Sequence, residues 1–143
     1  MTIVTIMTTN MKKITPGDKF ADVQEIFNNN SFHHLLVEQN GRLVGIVSDR
    51  DISRQIAGYL KNNQGSNFTT QLANSNIADF MTTEVLTIDR DTPIGAASIL
   101  LLEKNISCLP IVDAHNVIEG IVTREDLLKY YVYSEKINAC LDA

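Results

Sequence analysis

The chain has 143 residues, 44% hydrophobic and 20% charged, the composition of a globular protein that can bury one core or two small ones. A formal net charge of −5 and a pI of about 5.1 exclude a global attraction to nucleic acid or to an anionic membrane. No run of about 18 apolar residues exists to span a bilayer, Met1-Thr2-Ile3 opens no secretory signal, and Cys108 and Cys140 lack CxxC spacing, so a cytoplasmic chain with reduced thiols and no zinc is expected.

In chain order, Ile3 and Ile6 anchor a short leading segment that runs to Asn10. Met11 to Ile14 is short and extended, and Pro16-Gly17-Asp18 turns the chain. Asp18 is placed to cap a helix with Phe20, Val23, Ile26 and Phe27 on one face, ending at Asn28-Asn29-Asn30. Asn40-Gly41 joins the apolar runs His34–Val37 and Leu43–Val47 into a predicted hairpin. A second helix opens near Asp49 and turns Ile52, Ile56, Tyr59 and Leu60 inward. Lys61 to Asn67 is polar and contains glycine, the pattern of a mobile surface loop, and Thr70 to Phe80 leads into a second unit.

There, Val85 to Ile88 is extended and Thr92 is placed as the cap of a helix with Pro93 at its first position. Ile94, Ala96, Ala97 and Ile99 to Leu102 leave this helix almost no polar face before Glu103-Lys104. That pattern predicts burial on more than one side, and in so short a chain it implies a partner subunit. Strands at Cys108–Val112 and Val117–Val122 follow, then a helix from Arg124 to about Ser134 with Leu127, Leu128, Tyr131 and Val132 as its apolar face. The tail Glu135–Ala143 has no assigned order.

The two halves repeat each other. Met7-Thr8-Thr9 returns as Met81-Thr82-Thr83, an offset of 81 − 7 = 74 that also carries Ile14 to Ile88 and Leu35 to Leu109. After the hairpin turn the offset is 120 − 45 = 75, because Asp113-Ala114-His115-Asn116 is one residue longer than its counterpart. Gly45-Ile46-Val47-Ser48-Asp49-Arg50-Asp51 thus matches Gly120-Ile121-Val122-Thr123-Arg124-Glu125-Asp126. Each copy is a short strand ending in a hydroxyl, with an aspartate three positions later as a helix begins. A hydroxyl there caps the free N–H groups, which also suit an anion, and the aspartate can accept hydrogen bonds from sugar hydroxyls. The plain alternative is an ordinary capped helix.

Two strand–helix–strand–strand–helix copies, with Met-Thr-Thr starts, Ser-Cys-Leu-Pro-Ile-Val-Asp at 107–113 and two Gly-Ile-Val-[Ser/Thr]-x-x-Asp ends, resemble a tandem pair of CBS domains, a Bateman module. His33-His34-Leu35-Leu36-Val37 and Ser48-Asp49-Arg50-Asp51 look most like stand-alone bacterial members of the acetoin-utilisation type. The resemblance implies an α/β fold (α+β in stricter schemes) with repeats at 3–60 and 77–134, a linker at 61–76, and pseudo-twofold packing. It further implies two clefts, each taking its hydroxyl and aspartate from one copy and strand residues from the other. One would hold Ile46, Ser48, Arg50 and Asp51 with Thr87, Ile88 and Ile106 to Pro110, a run that includes Ser107, Cys108 and Leu109. The other would hold Ile121, Thr123, Arg124 and Asp126 with Lys13, Ile14, Phe32, His33, His34 and Leu35.

An adenosine-type ligand such as AMP, ADP or ATP suits that chemistry: carboxylate to ribose, hydroxyl and helix start to phosphate, apolar slot to adenine. Arg50 and Arg124 are placed to neutralise phosphate, or else are solvated helix charges. The second cleft departs from the family pattern at Lys13 and Leu36. His33 and His34 point to opposite faces of a strand, which argues against joint metal ligation. No P-loop, nucleophile elbow or dinucleotide glycine pattern supports catalysis. The expected role is regulatory nucleotide sensing in signal transduction by a homodimer without required cofactor; the alternative is a protein-interaction module with degenerate clefts.

Overall fold

Asn40 (φ 54) and Gly41 (φ 78) both occupy the left-handed region, the geometry of a type I′ turn, whose twist matches that of the strands it joins. In the computed structural model, which describes residues 1–62 and 67–142 apart from the side chains of 62, 67–69 and 135–142, this turn links β2 (His34–Gln39) to β3 (Arg42–Ser48). The two pair antiparallel, and β1 (Lys13–Ile14) adds to β2 in parallel, giving the order β1-β2-β3. Burial along β3 alternates, with Leu43, Gly45 and Val47 inward. The helices α1 (Phe20–Asn28), α2 (Asp49–Asn62) and α3 (Asn67–Ala73) accompany this sheet in the compact unit Lys12–Val85. Its core joins Ile14, Phe20, Val23, Leu35, Val37, Val47, Ile52, Leu72 and Ile77, and Phe20 meets Phe80 edge to face at 5.3 Å.

The other compact unit is Met1–Met11 with Leu86–Ala143. It contains α4 (Ile94–Lys104), the antiparallel pair β4 (Cys108–Val112) and β5 (Ile118–Thr123), and α5 (Arg124–Asp142). Ile3, Ile88, Ile94, Ala97, Leu101, Leu109, Ile111, Val122 and Leu127 form its core. Irregular pairing at Val37/Glu38 recurs at Ile111/Val112, at the 74-residue offset. Asp113 organises the longer second turn by accepting the N–H groups of His115 and Val117, while Asn116 takes φ 65.

Packing units therefore exchange their leading segments relative to the sequence repeats. Met7-Thr8, at the head of the first copy, lies against the second hairpin: Thr8 and Ile121 exchange backbone bonds of 2.8 and 2.9 Å. Met81-Thr82, at the head of the second copy, lies against the first hairpin, where Ile46 and Thr82 exchange bonds of 3.0 and 2.9 Å. Both hairpins carry a glycine where the leading segment approaches closely. A Cβ on Gly45 would stand 2.7 Å from the Met81 Sδ and 3.1 Å from the Thr82 carbonyl oxygen. On Gly120 it would stand 2.9 Å from the Met7 Sδ and 3.0 Å from the Thr8 oxygen.

Several expectations are corrected. Asp18 does not cap α1, because its carboxylate accepts the backbone N–H and hydroxyl of Thr15; Lys19 takes the cap position without a side-chain bond. Thr92 does not cap α4, since its hydroxyl donates to Asp89 and Pro93 takes that place. Leu60 is exposed, one position past the buried stripe of α2. Val85–Ile88 forms no strand; Ile88 makes a single parallel bridge to Ile111, so this sheet has two strands where the first has three. The segment read as a loop is helical to Asn62 and again from Asn67, and residues 63–66 lie outside the described residues. The tail continues α5 to Asp142. Apart from these corrections, the single chain buries Ile94, Ala97 and Leu101 of α4, and of the predicted face of α5 it buries only Leu127.

Candidate functional site

Each Gly-Ile-Val-[Ser/Thr]-x-x-Asp motif folds as a reciprocal capping box. The Ser48 Oγ accepts the Asp51 N–H at 3.1 Å, and the Asp51 Oδ2 accepts the Ser48 N–H at 3.0 Å. Thr123 and Asp126 repeat the arrangement at 3.2 and 2.9 Å. The chain enters each helix through an additional backbone bond, from Asp49 N–H to the His33 oxygen and from Arg124 N–H to the Ser107 oxygen, each 3.0 Å. Among the described residues, this leaves the Arg50 N–H and the Glu125 N–H as the unbonded donors of the two first turns. The capping bond fixes one carboxylate oxygen of each aspartate. Both aspartates are half-buried, and the Asp51 Oδ1 lies 3.9 Å from Arg54.

Strand register brings residues of the same repeat beside each helix start. His34 is opposite Ser48, and Cys108 is opposite Thr123. One group is therefore His33, His34, Ser48, Arg50 and Asp51; the other is Ile106, Ser107, Cys108, Thr123, Arg124 and Asp126. Leu36 and Ile46 are cross-strand neighbours on the face away from Val47, as Pro110 and Ile121 are on the second hairpin. Ile14, Leu35, Ile88 and Leu109 give their side chains to the cores, so only their backbone can face a ligand. Phe32 packs edge to face on Phe27 at 6.3 Å, and Thr87 is half-buried. Lys13 does not offer a free charge, since Glu38 holds its ammonium at 3.2 Å.

The two arginines differ. Arg50 is exposed, and among the described residues no hydrogen bond or ion pair engages its guanidinium. Arg124 is exposed but partly engaged. Its Nε donates to the Ile106 carbonyl at 2.9 Å and its Nη2 to the Asn105 Oδ1 at 3.2 Å, which clasps the left-handed turn (φ 52) that ends α4. Position 124 corresponds to Asp49, which instead accepts from His33 Nδ1 at 2.7 Å. The residue matching Arg50 is Glu125, which pairs with Lys129 at 3.4 Å. The His33–Asp49 pair and the Asn105–Arg124 clasp carry no motif; each becomes visible only when the β-strand start is set beside the helix start.

Electrostatics follow the same layout. Burial, the largest cause, pushes the pKa of His34 below its ordinary 6.5; His33 and Arg50 add to the lowering, and Asp49 and Asp51 oppose it. The unfolded chain then binds a proton that the folded chain refuses, so this stability is complete above about pH 6.5 and declines as pH falls toward the lowered value. Urea midpoints of wild type should fall more than those of His34→Gln between about pH 8 and about pH 5; parallel profiles would refute the assignment. Cys108 is buried in β4, which pushes its thiol up to about 12, so it stays protonated. No group of three or more metal-ligating side chains exists among the described residues, and no described helix is long and apolar enough to cross a membrane. An open hollow of about 470 Å³ lies along α1, lined by Lys12, Asp22, Glu25, Ile26, Asn29, Asn30 and Phe32. Its two carboxylates make it unsuited to phosphate, and it shares only Phe32 with the expected clefts.

The duplicated capping box on a duplicated hairpin coincides with a family match: residues 3–58 and 77–133 each match the CBS domain. The chain is a CBS-domain protein. It carries two CBS repeats, and its relatives include stand-alone pairs. The CBSX2 structure in complex with AMP is 27% identical, with a TM-score of 0.78 over 94% of this chain and 98% of that one. The CBS domain pair of protein MJ0100, in complex with 5′-methylthioadenosine and S-adenosyl-L-methionine, is 25% identical, with a TM-score of 0.75 over 92% and 99%. A Vibrio cholerae protein assigned to acetoin utilization (AcuB) shares the fold at 18% identity, with a TM-score of 0.81 over 97% and 96%. This CBS pair spans less than half the length of the first curated relatives it matches, 42% of one and 23% of another.

Proposed function

We propose that this CBS pair is a regulatory module that senses an adenosine-type ligand, AMP, ADP or ATP, and acts without catalysis. The observation that carries the proposal is the pair of capping boxes, each of which fixes one aspartate oxygen, so that the second would be the one to accept a ribose hydroxyl. Ser48, Arg50 and Asp51 would hold phosphate and ribose at one helix start, and Thr123 and Asp126 at the other, with the remaining contacts from the strand residues named for each cleft. Two structural neighbours that contain adenosine compounds support the ligand class. Relatives named homoserine O-acetyltransferase match over 23% of their own length, so their activity is no argument for this chain.

Ligand can change the module's behaviour only by binding one arrangement better than another. A protein that binds ligand only when folded gains about 2.7 kcal/mol at 100 times the dissociation constant. Thermal unfolding with AMP, ADP, ATP and S-adenosylmethionine in turn should therefore give an upward shift with at least one of them. No shift with any of the four would favour the second reading, a protein-interaction module with degenerate clefts. That reading draws on the exposed apolar side chains of α4 and α5. Under either reading the chain acts as a homodimer in the cytoplasm.

A further inference from the structure

The first strand of each hairpin begins with a different chemistry in the two repeats. His34 is directly opposite Ser48 in the register of β2 and β3, and Cys108 is directly opposite Thr123 in that of β4 and β5. Directly opposed residues share a face of the sheet, with Cβ atoms about 5 Å apart. Leu35 and Val47, the next pair, turn into the core, so His34 and Ser48 lie on the other face, with Leu36 and Ile46. The Ser48 Oγ is bonded to the Asp51 N–H, which sets His34 beside the first turn of α2. The charges that face it are mixed. Asp49, Arg50 and Asp51 act on it from α2, and His33 acts from its own end of β2. The Asp49 carboxylate is already held by His33 Nδ1 at 2.7 Å, and the Asp51 Oδ2 by the Ser48 N–H. β1, on the far side of β2, carries Lys13, whose ammonium Glu38 holds. Burial outweighs the two carboxylates, so the imidazole is neutral at about pH 7.

We propose that His34 couples nucleotide binding at the first helix start to a proton, the imidazole becoming charged as phosphate arrives. The inference rests on the adenosine-ligand reading above and deepens it, adding a pH-dependent preference for phosphate-bearing ligands over the nucleoside. Phosphate brings close to two negative charges to this helix start, and an anion within about 4–6 Å favours the charged form of a histidine. The proton comes from the buffer and adds to the unprotonated ring nitrogen; no other bond changes. The second helix start has no counterpart. The Cys108 thiol, pushed up to about 12 by burial, stands in the place of His34, and Ser107 in that of His33. Neither changes its charge near neutral pH. Binding at the first start should therefore tighten as pH falls through neutrality. The nucleotide's own phosphate works in the opposite sense, because it gains a proton near pH 6 and loses charge.

The test is titration calorimetry of the full chain with AMP, ADP, ATP and adenosine at about pH 7, in two buffers of different ionisation enthalpy. The difference in heat between the buffers counts the protons exchanged per ligand bound. We expect net proton uptake with nucleotide, none with adenosine, and nucleotide affinity about threefold tighter at about pH 6.5 than at about pH 8. His34→Gln, which cannot become charged, should lose both the uptake and the rise in affinity, whereas His33→Gln should keep both. Nucleotide bound without proton uptake, equal uptake with adenosine, or uptake that survives His34→Gln would overturn the coupling and leave the ligand reading standing. Failure of all three nucleotides to bind would overturn both.

Discussion

Asp51→Ala should weaken AMP binding by about 10- to 100-fold and weaken it more than Asp126→Ala does. A hydrogen bond to a charged group is worth about 1.5–3 kcal/mol, and each 1.4 kcal/mol is a factor of ten in affinity. The ranking comes from the neighbours of the two aspartates. At the first helix start an exposed Arg50 guanidinium is available to phosphate; at the second, Arg124 is committed to Ile106 and Asn105, and Glu125 stands in the place of Arg50. Phosphate at the second start would meet a carboxylate where the first offers a cation. Each substitution also removes half of a capping box, at a cost of about 1 kcal/mol in stability, so binding must be measured well below the unfolding temperature. Asp51→Asn separates the effects, because its amide oxygen can still accept the Ser48 N–H. Titration calorimetry with AMP decides the matter: equal losses for Asp51→Ala and Asp126→Ala would remove the ranking.

The duplication was legible because it is written in spacing. Asn40-Gly41 fixed a hairpin, and a hydroxyl three residues before an aspartate marked each helix start; both are local rules with a single physical solution. Cap identity was less legible. Asp18 and Thr92 are good caps by type, yet each has a closer local partner, Thr15 and Asp89, and such competition depends on turn geometry absent from the pattern. For α4, the seven apolar residues read as burial on more than one side against a partner subunit; the single chain buries the side with Ile94, Ala97 and Leu101 and leaves Ile99 and Leu102 exposed, the side that expectation assigns to a partner. Arginine roles were equally hidden. Arg50 and Arg124 look alike one by one, but the repeat offset aligns Arg124 with Asp49, and only the fold reveals the carbonyl that Arg124 reaches.

Least legible was the exchange of leading segments, which carries the strongest expected effect on stability. Ile3 stands at the head of the first repeat in sequence but is fully buried in the core of the unit that holds the second. Its N–H bonds the Thr92 carbonyl at 2.8 Å, and Thr8 closes the same segment on Ile121. Ile3→Ala should therefore cost about 2–5 kcal/mol, the range for emptying a well-packed aliphatic site. Its location is the sharper expectation. Native-state hydrogen exchange should accelerate at Leu109, Ile111 and Val122, which share a core with Ile3, before it does at Leu35, Val37 and Val47. Ile77→Ala, its counterpart at the 74-residue offset, should reverse the pattern, because Ile77 is fully buried with Leu35, Val37 and Val47. If each substitution instead loosened the hairpin of its own sequence repeat, the exchange of segments would be wrong and the repeats would be the packing units after all.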